Sequence, residues 1–144
     1  MDYNHLTIKK AKAGMAWSRH SSREILQYAL GGLLYAPANH LSIGTDICNK
    51  RYPELKNIVL CLEDTIMDGF VKEAEQVLLQ TIRQIYTAVQ ETALKVYEIP
   101  LIFIRVRSAD QMADLFIRLQ ETVTIIAGFV LPKFDSSNAK GYCN

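Results

Sequence analysis

The sequence predicts an α/β fold, a helix followed by four βα units on a parallel sheet, and three observations lead there. The first is a set of short apolar runs: Leu33-Leu34-Tyr35-Ala36, Ile58-Val59-Leu60-Cys61-Leu62, Leu101-Ile102-Phe103-Ile104 and Ile125 to Leu131. Runs that are apolar at every position, not every second one, suit strands covered on both faces, as in a parallel sheet under helices. The second is how each run ends, in Pro37-Ala38-Asn39-His40, Glu63-Asp64, Arg105-Val106-Arg107 and Pro132-Lys133. Polar or turn-forming residues just past a parallel strand lie at its C-terminal end, where α/β folds carry their chemistry. The third is spacing: the runs start about 25 to 43 residues apart, the interval of strands joined through right-handed crossovers.

The elements follow in order. Residues 1–20 are mixed and basic, with Lys9, Lys10, Lys12 and Arg19, and read as an arm anchored by Trp17. The domain proper is expected over 21–144. Ser21-Ser22-Arg23-Glu24 opens a helix, with Glu24 at capping-box spacing from Ser21. Ile25, Leu26, Ala29 and Leu30 form its apolar face, and Gly31-Gly32 ends it. The first strand follows, then a turn at Pro37 and Asn39 and a helix over Leu41 to Cys48, which Gly44 weakens. Pro53 keeps 49–57 free of helix, and the second strand is Ile58 to Leu62. Asp68 is the expected cap of a long helix with the stripe Ala74, Val77, Leu78, Ile82, Ile85, Val89 and Val96. Ile99-Pro100 leads into the third strand, and Ser108 with Gln111 repeats the capping-box spacing ahead of Met112, Leu115, Phe116 and Leu119. After the fourth strand, Asp135, Ser136 or Ser137 caps a helix near the end of the sequence. Two architectures fit this order: half of a (β/α)8 barrel, or a four-stranded doubly wound sheet.

Composition narrows the function classes. The 144 residues are 49% hydrophobic and 22% charged, with a formal net charge of +1. That is a globular composition with no global field for nucleic acid or an anionic membrane surface. No apolar stretch approaches the roughly 20 residues of a membrane span. Cys48, Cys61 and Cys143 form no CxxC pair, so a reduced, cytoplasmic protein is expected. His5, His20 and His40 make no metal set, and GxGxxG, GxxxxGK[ST] and GxSxG are absent.

The candidate chemistry sits at the strand ends. Arginine matches carboxylate or phosphate through its planar fork, so Arg105 and Arg107 read either as an oxoacid clamp or as partners of Glu63 and Asp64. Glu63 and Asp64 could hold a divalent cation, order its waters or cap a loop. Lys133 suits electrostatic work better than a Schiff base. Because its charge is expected to serve a site, Arg105→Ala should cost little in folding.

The segments L-L-Y-A-P-A-N-H (33–40), V-L-C-L-E-D-T-I (59–66), I-F-I-R-V-R (102–107) and G-F-V-L-P-K-F (128–134) resemble the citrate lyase β-subunit and HpcH/HpaI aldolase superfamily. With S-R-H-S-S-R-E (18–24), they are most similar to the TIM-barrel C–C bond lyases found with tellurium-resistance genes. The resemblance implies the first four βα units of a (β/α)8 barrel, preceded by an N-terminal helix. It implies an enzyme that cleaves or forms a bond beside an oxoacid carbonyl, usually with Mg²⁺ polarising the oxygen. It matches Arg105 to the arginine that holds the substrate carboxylate and carbonyl, and Lys133 to the lysine of the L-P-K strand end, which makes both candidate catalytic residues. Arg105, Arg107, Asn39 and His40 are the expected substrate contacts, although Arg107 replaces the family's common asparagine and His40 stands where many relatives carry an arginine. Glu63 and Asp64 match the family's acidic pair near the metal, ordering its waters rather than ligating it.

A full barrel needs about 250 residues, and the family's metal-ligating carboxylates lie on later strands. The expectation is therefore an N-terminal part of a Mg²⁺-dependent lyase, acting on an oxoacid or acyl-CoA and inactive as this truncated chain. The alternative is a non-catalytic anion-binding half-barrel that dimerises or docks on a partner subunit. Neither nucleic acid nor membrane is an expected partner. A homo-oligomer that closes the open sheet edges is.

Overall fold

The computed structural model describes residues 21–143. The expected arm over 1–20, with Trp17, His5 and His20, lies outside the described residues. The chain divides into two units, residues 1–32 and 33–144.

In the first unit, α1 spans Arg23–Ala29. Ser22 occupies the N-cap position with extended backbone, but its hydroxyl makes no capping bond. Leu30 closes the helix, and Gly31 follows at φ 60°, in the left-handed region that glycine enters at little cost.

The second unit alternates strands and helices: β1 (Leu34–Pro37), α2 (Ile43–Cys48), β2 (Asn57–Cys61), α3 (Val71–Gln90), β3 (Leu101–Arg105), α4 (Ala109–Leu119), β4 (Ile126–Val130) and α5 (Ala139–Cys143). The strands form one sheet in the order β1-β2-β3-β4, and every neighbouring pair is parallel. A doubly wound sheet reverses its strand order at a switch point. This sheet does not, so the doubly wound architecture is set aside. Successive right-handed crossovers in one direction put the helices on one face, the arrangement of the first four βα units of a barrel.

The core lies between sheet and helices. Ile58, Leu60 and Leu62 alternate along β2 and just past it, as do Ile102, Ile104 and Val106 along β3. They share a buried cluster with Ala74, Leu78, Ile82 and Ile85 of α3 and Leu115 and Leu119 of α4. β2 is buried along its whole length, which accounts for its unbroken apolar sequence.

Several local expectations need correction. Asp68 does not cap the long helix; it starts a 3₁₀ turn (Asp68–Phe70), and Phe70 precedes α3. The stripe holds through Val89, but Val96 falls in a separate turn (Val96–Glu98), beyond Thr92, whose left-handed backbone (φ 59°) interrupts the helix. Ile125 belongs to a 3₁₀ turn (Gln120–Ile125), so β4 starts one residue late. Gly44 faces α3, where a Cβ would meet the flexible end of the Gln84 side chain and make it shift. Gln84 Nε2 donates to Thr45 Oγ1 across the same contact at 3.3 Å.

Candidate functional site

Pro37, Cys61, Arg105 and Val130 are paired neighbours across the sheet and form its last full row. Backbone bonds carry the ladder slightly further, from Ala38 N to Cys61 O, Leu62 N to Arg105 O and Val106 N to Val130 O. Asn39, His40, Glu63, Asp64, Arg107 and Lys133 therefore sit just beyond the C-terminal strand ends, on one rim.

Arg105 is the centre of that rim. Ile104 and Val106 point into the helix-side core, so strand alternation turns Arg105 to the opposite face, the side a barrel encloses. There its Nη2 pairs with Glu63 Oε2 and lies 2.9 Å from Asp64 Oδ2. The guanidinium carbon stands 5.9 Å from the centre of the Tyr35 ring, within cation–π range. Burial works against the Arg105 charge, but the charges of Glu63 and Asp64 outweigh it and hold the guanidinium above its ordinary basicity. The two acids differ in setting: the Glu63 side chain is 13% exposed, that of Asp64 64%. Glu63 Oε2 is buried and meets the arginine as an ion pair without a well-directed hydrogen bond.

Arg107 does something else. Its Nε donates to Leu62 O at 2.6 Å and its Nη2 to Glu63 O at 3.1 Å and to Ile66 O, while Nη1 pairs with Asp68. Of the two readings open to Arg107, oxoacid clamp or partner of the β2 acids, the structure shows its fork engaged by the β2–α3 loop. Its backbone N–H donates to Gln111 Oε1 at 2.7 Å.

The remaining candidates are peripheral. Asn39 and His40 are exposed just past β1. His40 Nδ1 is 3.3 Å from Ser42 Oγ, which donates to Asp46 Oδ2 at 2.8 Å. Lys133 is exposed and takes a left-handed backbone (φ 44°), its carbonyl accepting from Asn138 Nδ2 at 2.9 Å. Asp135 Oδ1 accepts from Ser137 N and Asn138 N, so the expected capping acid organises the approach to α5.

Sequence reasoning missed Glu75 and Tyr142, and it gave Gln111 only a capping role. Glu75, on the buried face of α3, accepts from Gln111 Nε2 and Arg118 Nη1, both at 2.8 Å. An acid adjoining Ala74 in an otherwise apolar stripe was the available signal, with Gln111 and Arg118 seven positions apart on α4 as its partners. Gln111 keeps only half of the capping box: its N–H reaches Ser108 Oγ at 3.2 Å, but its side chain goes to Arg107. Tyr142 in α5 packs on Phe134, with ring centres 6.1 Å apart. Burial, then the Glu63 charge, pushes the Tyr142 phenol up.

The fit of Mg²⁺ can be judged from the donors. Among the described residues, no group of three or more His, Cys, Asp and Glu is arranged around a metal position. Two carboxylates converge on one arginine nitrogen, and Glu63 Oε2 has no directed hydrogen bond. Mg²⁺ commonly takes one or two carboxylates and completes its shell with water and substrate. Glu63 and Asp64 therefore suit an ion that keeps its waters, not a protein cage.

A parallel sheet whose strands follow one another in sequence order is an arc of a TIM barrel, and the C-terminal rim that holds Arg105, Glu63 and Asp64 is the end where that fold carries its chemistry. Residues 24–144 match the family model for the C–C bond lyase of the TIM-barrel fold, and the chain belongs to that family. Neither the curated proteins nor the solved structures gave a match.

Proposed function

We propose that this chain supplies the oxoacid-binding part of a carbon–carbon bond lyase of the citrate lyase β-subunit type, in the branch associated with tellurium resistance. The observation that carries it is Arg105, a half-buried guanidinium aimed at the barrel side of the rim and held by Glu63 and Asp64. A substrate carboxylate and its neighbouring carbonyl oxygen suit the planar fork. Asp64, the more exposed acid, is the partner that gives way to them. When the bond beside the oxoacid carbonyl breaks, its electron pair moves toward the carbonyl oxygen, and the fixed charge of Arg105 meets the negative charge developing there. Glu63 and Asp64 would hold Mg²⁺, and the ion would supply polarisation of that same oxygen. Asn39 and His40 line the rim on the β1 side, and Lys133 adds positive charge on the β4 side. The free state of Cys48, Cys61 and Cys143 supports a reducing, cytoplasmic setting.

Because the described residues offer only two carboxylates at this point, the chain alone is expected to bind and not to turn over. The test is a calorimetric titration with pyruvate in the presence of Mg²⁺, followed by incubation with panels of oxoacids and acyl-CoA esters. Binding that depends on Mg²⁺ and disappears in Arg105→Ala is the expected result. Absence of binding overturns the oxoacid reading, and steady turnover by the isolated chain overturns its incompleteness.

A further inference from the structure

We infer that Arg107 is a positioning residue, which transmits the packing of α3 against α4 to the loop that presents Glu63 and Asp64 to Arg105. This deepens the oxoacid reading, on which the site's role rests. Residues 62–67 belong to no helix or strand. Leu62 N still donates to Arg105 O at 2.9 Å, and Leu62 and Ile66 are buried in the core; the segment's own bonds are local, such as Ile66 N to Glu63 O at 3.1 Å and Thr65 Oγ1 to Cys61 O at 3.1 Å. Arg107 gathers the rest, taking the carbonyls of Leu62, Glu63 and Ile66 in one fork and Asp68 at its far side. Both acids of the site lie inside the segment so gripped.

The fork is itself held from behind. Gln111 Oε1 accepts the Arg107 N–H, and Gln111 Nε2 donates to Glu75 Oε1. The Glu75 side chain is 4% exposed, and its other oxygen takes Arg118 Nη1. A buried carboxylate is tolerated when it is paired and hydrogen-bonded. Here both oxygens are engaged across the α3–α4 interface, so the glutamate locks Gln111, and Gln111 fixes the backbone from which Arg107 reaches out. Lysine cannot reproduce this, because an ammonium is a point donor without the flat spread of five N–H groups.

The experiment is hydrogen exchange on the 144-residue chain and on Arg107→Lys, which keeps the charge and loses the fork, combined with the pyruvate and Mg²⁺ titration. Exchange over residues 62–68 is expected to rise at least about ten-fold while the β2 and β3 amides hold, since local opening is separable from global unfolding. Pyruvate affinity is expected to fall about ten-fold with the loop. If Arg107→Lys fails to fold, Gln111→Met gives the same comparison, removing both side-chain bonds at similar shape with a smaller rise confined to 62–68. Unchanged exchange at 62–68, or an equal rise across the sheet, overturns the inference. A wild-type chain that ignores pyruvate while its loop responds to Arg107→Lys overturns the oxoacid reading and leaves the positioning role standing.

Discussion

Glu63 and Asp64 are adjacent in sequence and both reach Arg105, yet they are unequal partners. Asp64 is mostly in water, where an ion pair contributes little. Glu63 is mostly buried, so removing its partner leaves a charge that solvent cannot fully reach. Arg105→Ala is therefore expected to cost about 1–3 kcal/mol in urea unfolding. This revises the expectation from sequence, under which an arginine serving only a site costs little to lose. Adding Glu63→Gln should recover part of the loss, because the stranded charge is gone. A cost within experimental error for Arg105→Ala would show that the pair serves the ligand alone.

At the scale of elements, α4 is fastened at its start and α3 along its middle. Ser108 caps α4, its side chain accepting a helix N–H, that of Gln111, which the N-cap residues of α1, α2 and α3 do not do. Ser108→Ala is expected to lose about 1 kcal/mol, the usual worth of such a cap. Ile82 sits in the fully buried stripe of α3, and Ile82→Ala should cost about 2–5 kcal/mol through lost transfer energy and the cavity left behind. Denaturant midpoints at constant slope check both. A larger loss at Ser108 than at Ile82 would mean that the start of α4, which also carries Gln111, holds more of the fold than the core stripe does.

At the scale of the whole molecule, the sheet has two outer strands. Among the described residues, β4 pairs with β3 alone, and β1, with Leu34 and Tyr35 exposed, pairs with β2 alone. Pro37 suits β1 to an outer position, since proline cannot complete a ladder on both sides. Unpaired parallel edges recruit further strands. Light scattering on a sizing column should show association that grows with concentration, and Ala127→Lys on β4 should weaken it. A monomer at every concentration would mean that these edges are not recruiting surfaces.

What the sequence determined by itself is local and periodic. Unbroken apolar runs declared the strands; cover on both faces holds along the whole of β2, whereas β1 and β4, at the outer positions, stay partly exposed. The strand-end clusters declared the rim, and the motifs through Glu63-Asp64 and Arg105 declared a C–C bond lyase of the TIM-barrel fold, which the match over residues 24–144 bears out at that level. What only the tertiary structure decided is long-range. The order of the strands separated a barrel arc from a doubly wound sheet, and no periodicity encodes neighbours about 25 to 43 residues apart. The division of labour between Arg105 and Arg107 was hidden for the same reason. Two residues apart, they read alike in the sequence, and only the approach of the β2–α3 loop gives one the two acids and the other the backbone carbonyls. Glu75 stayed hidden inside an apolar stripe because its partners, Gln111 and Arg118, lie on the next helix. A buried charge is legible only when the group that neutralises it is in view.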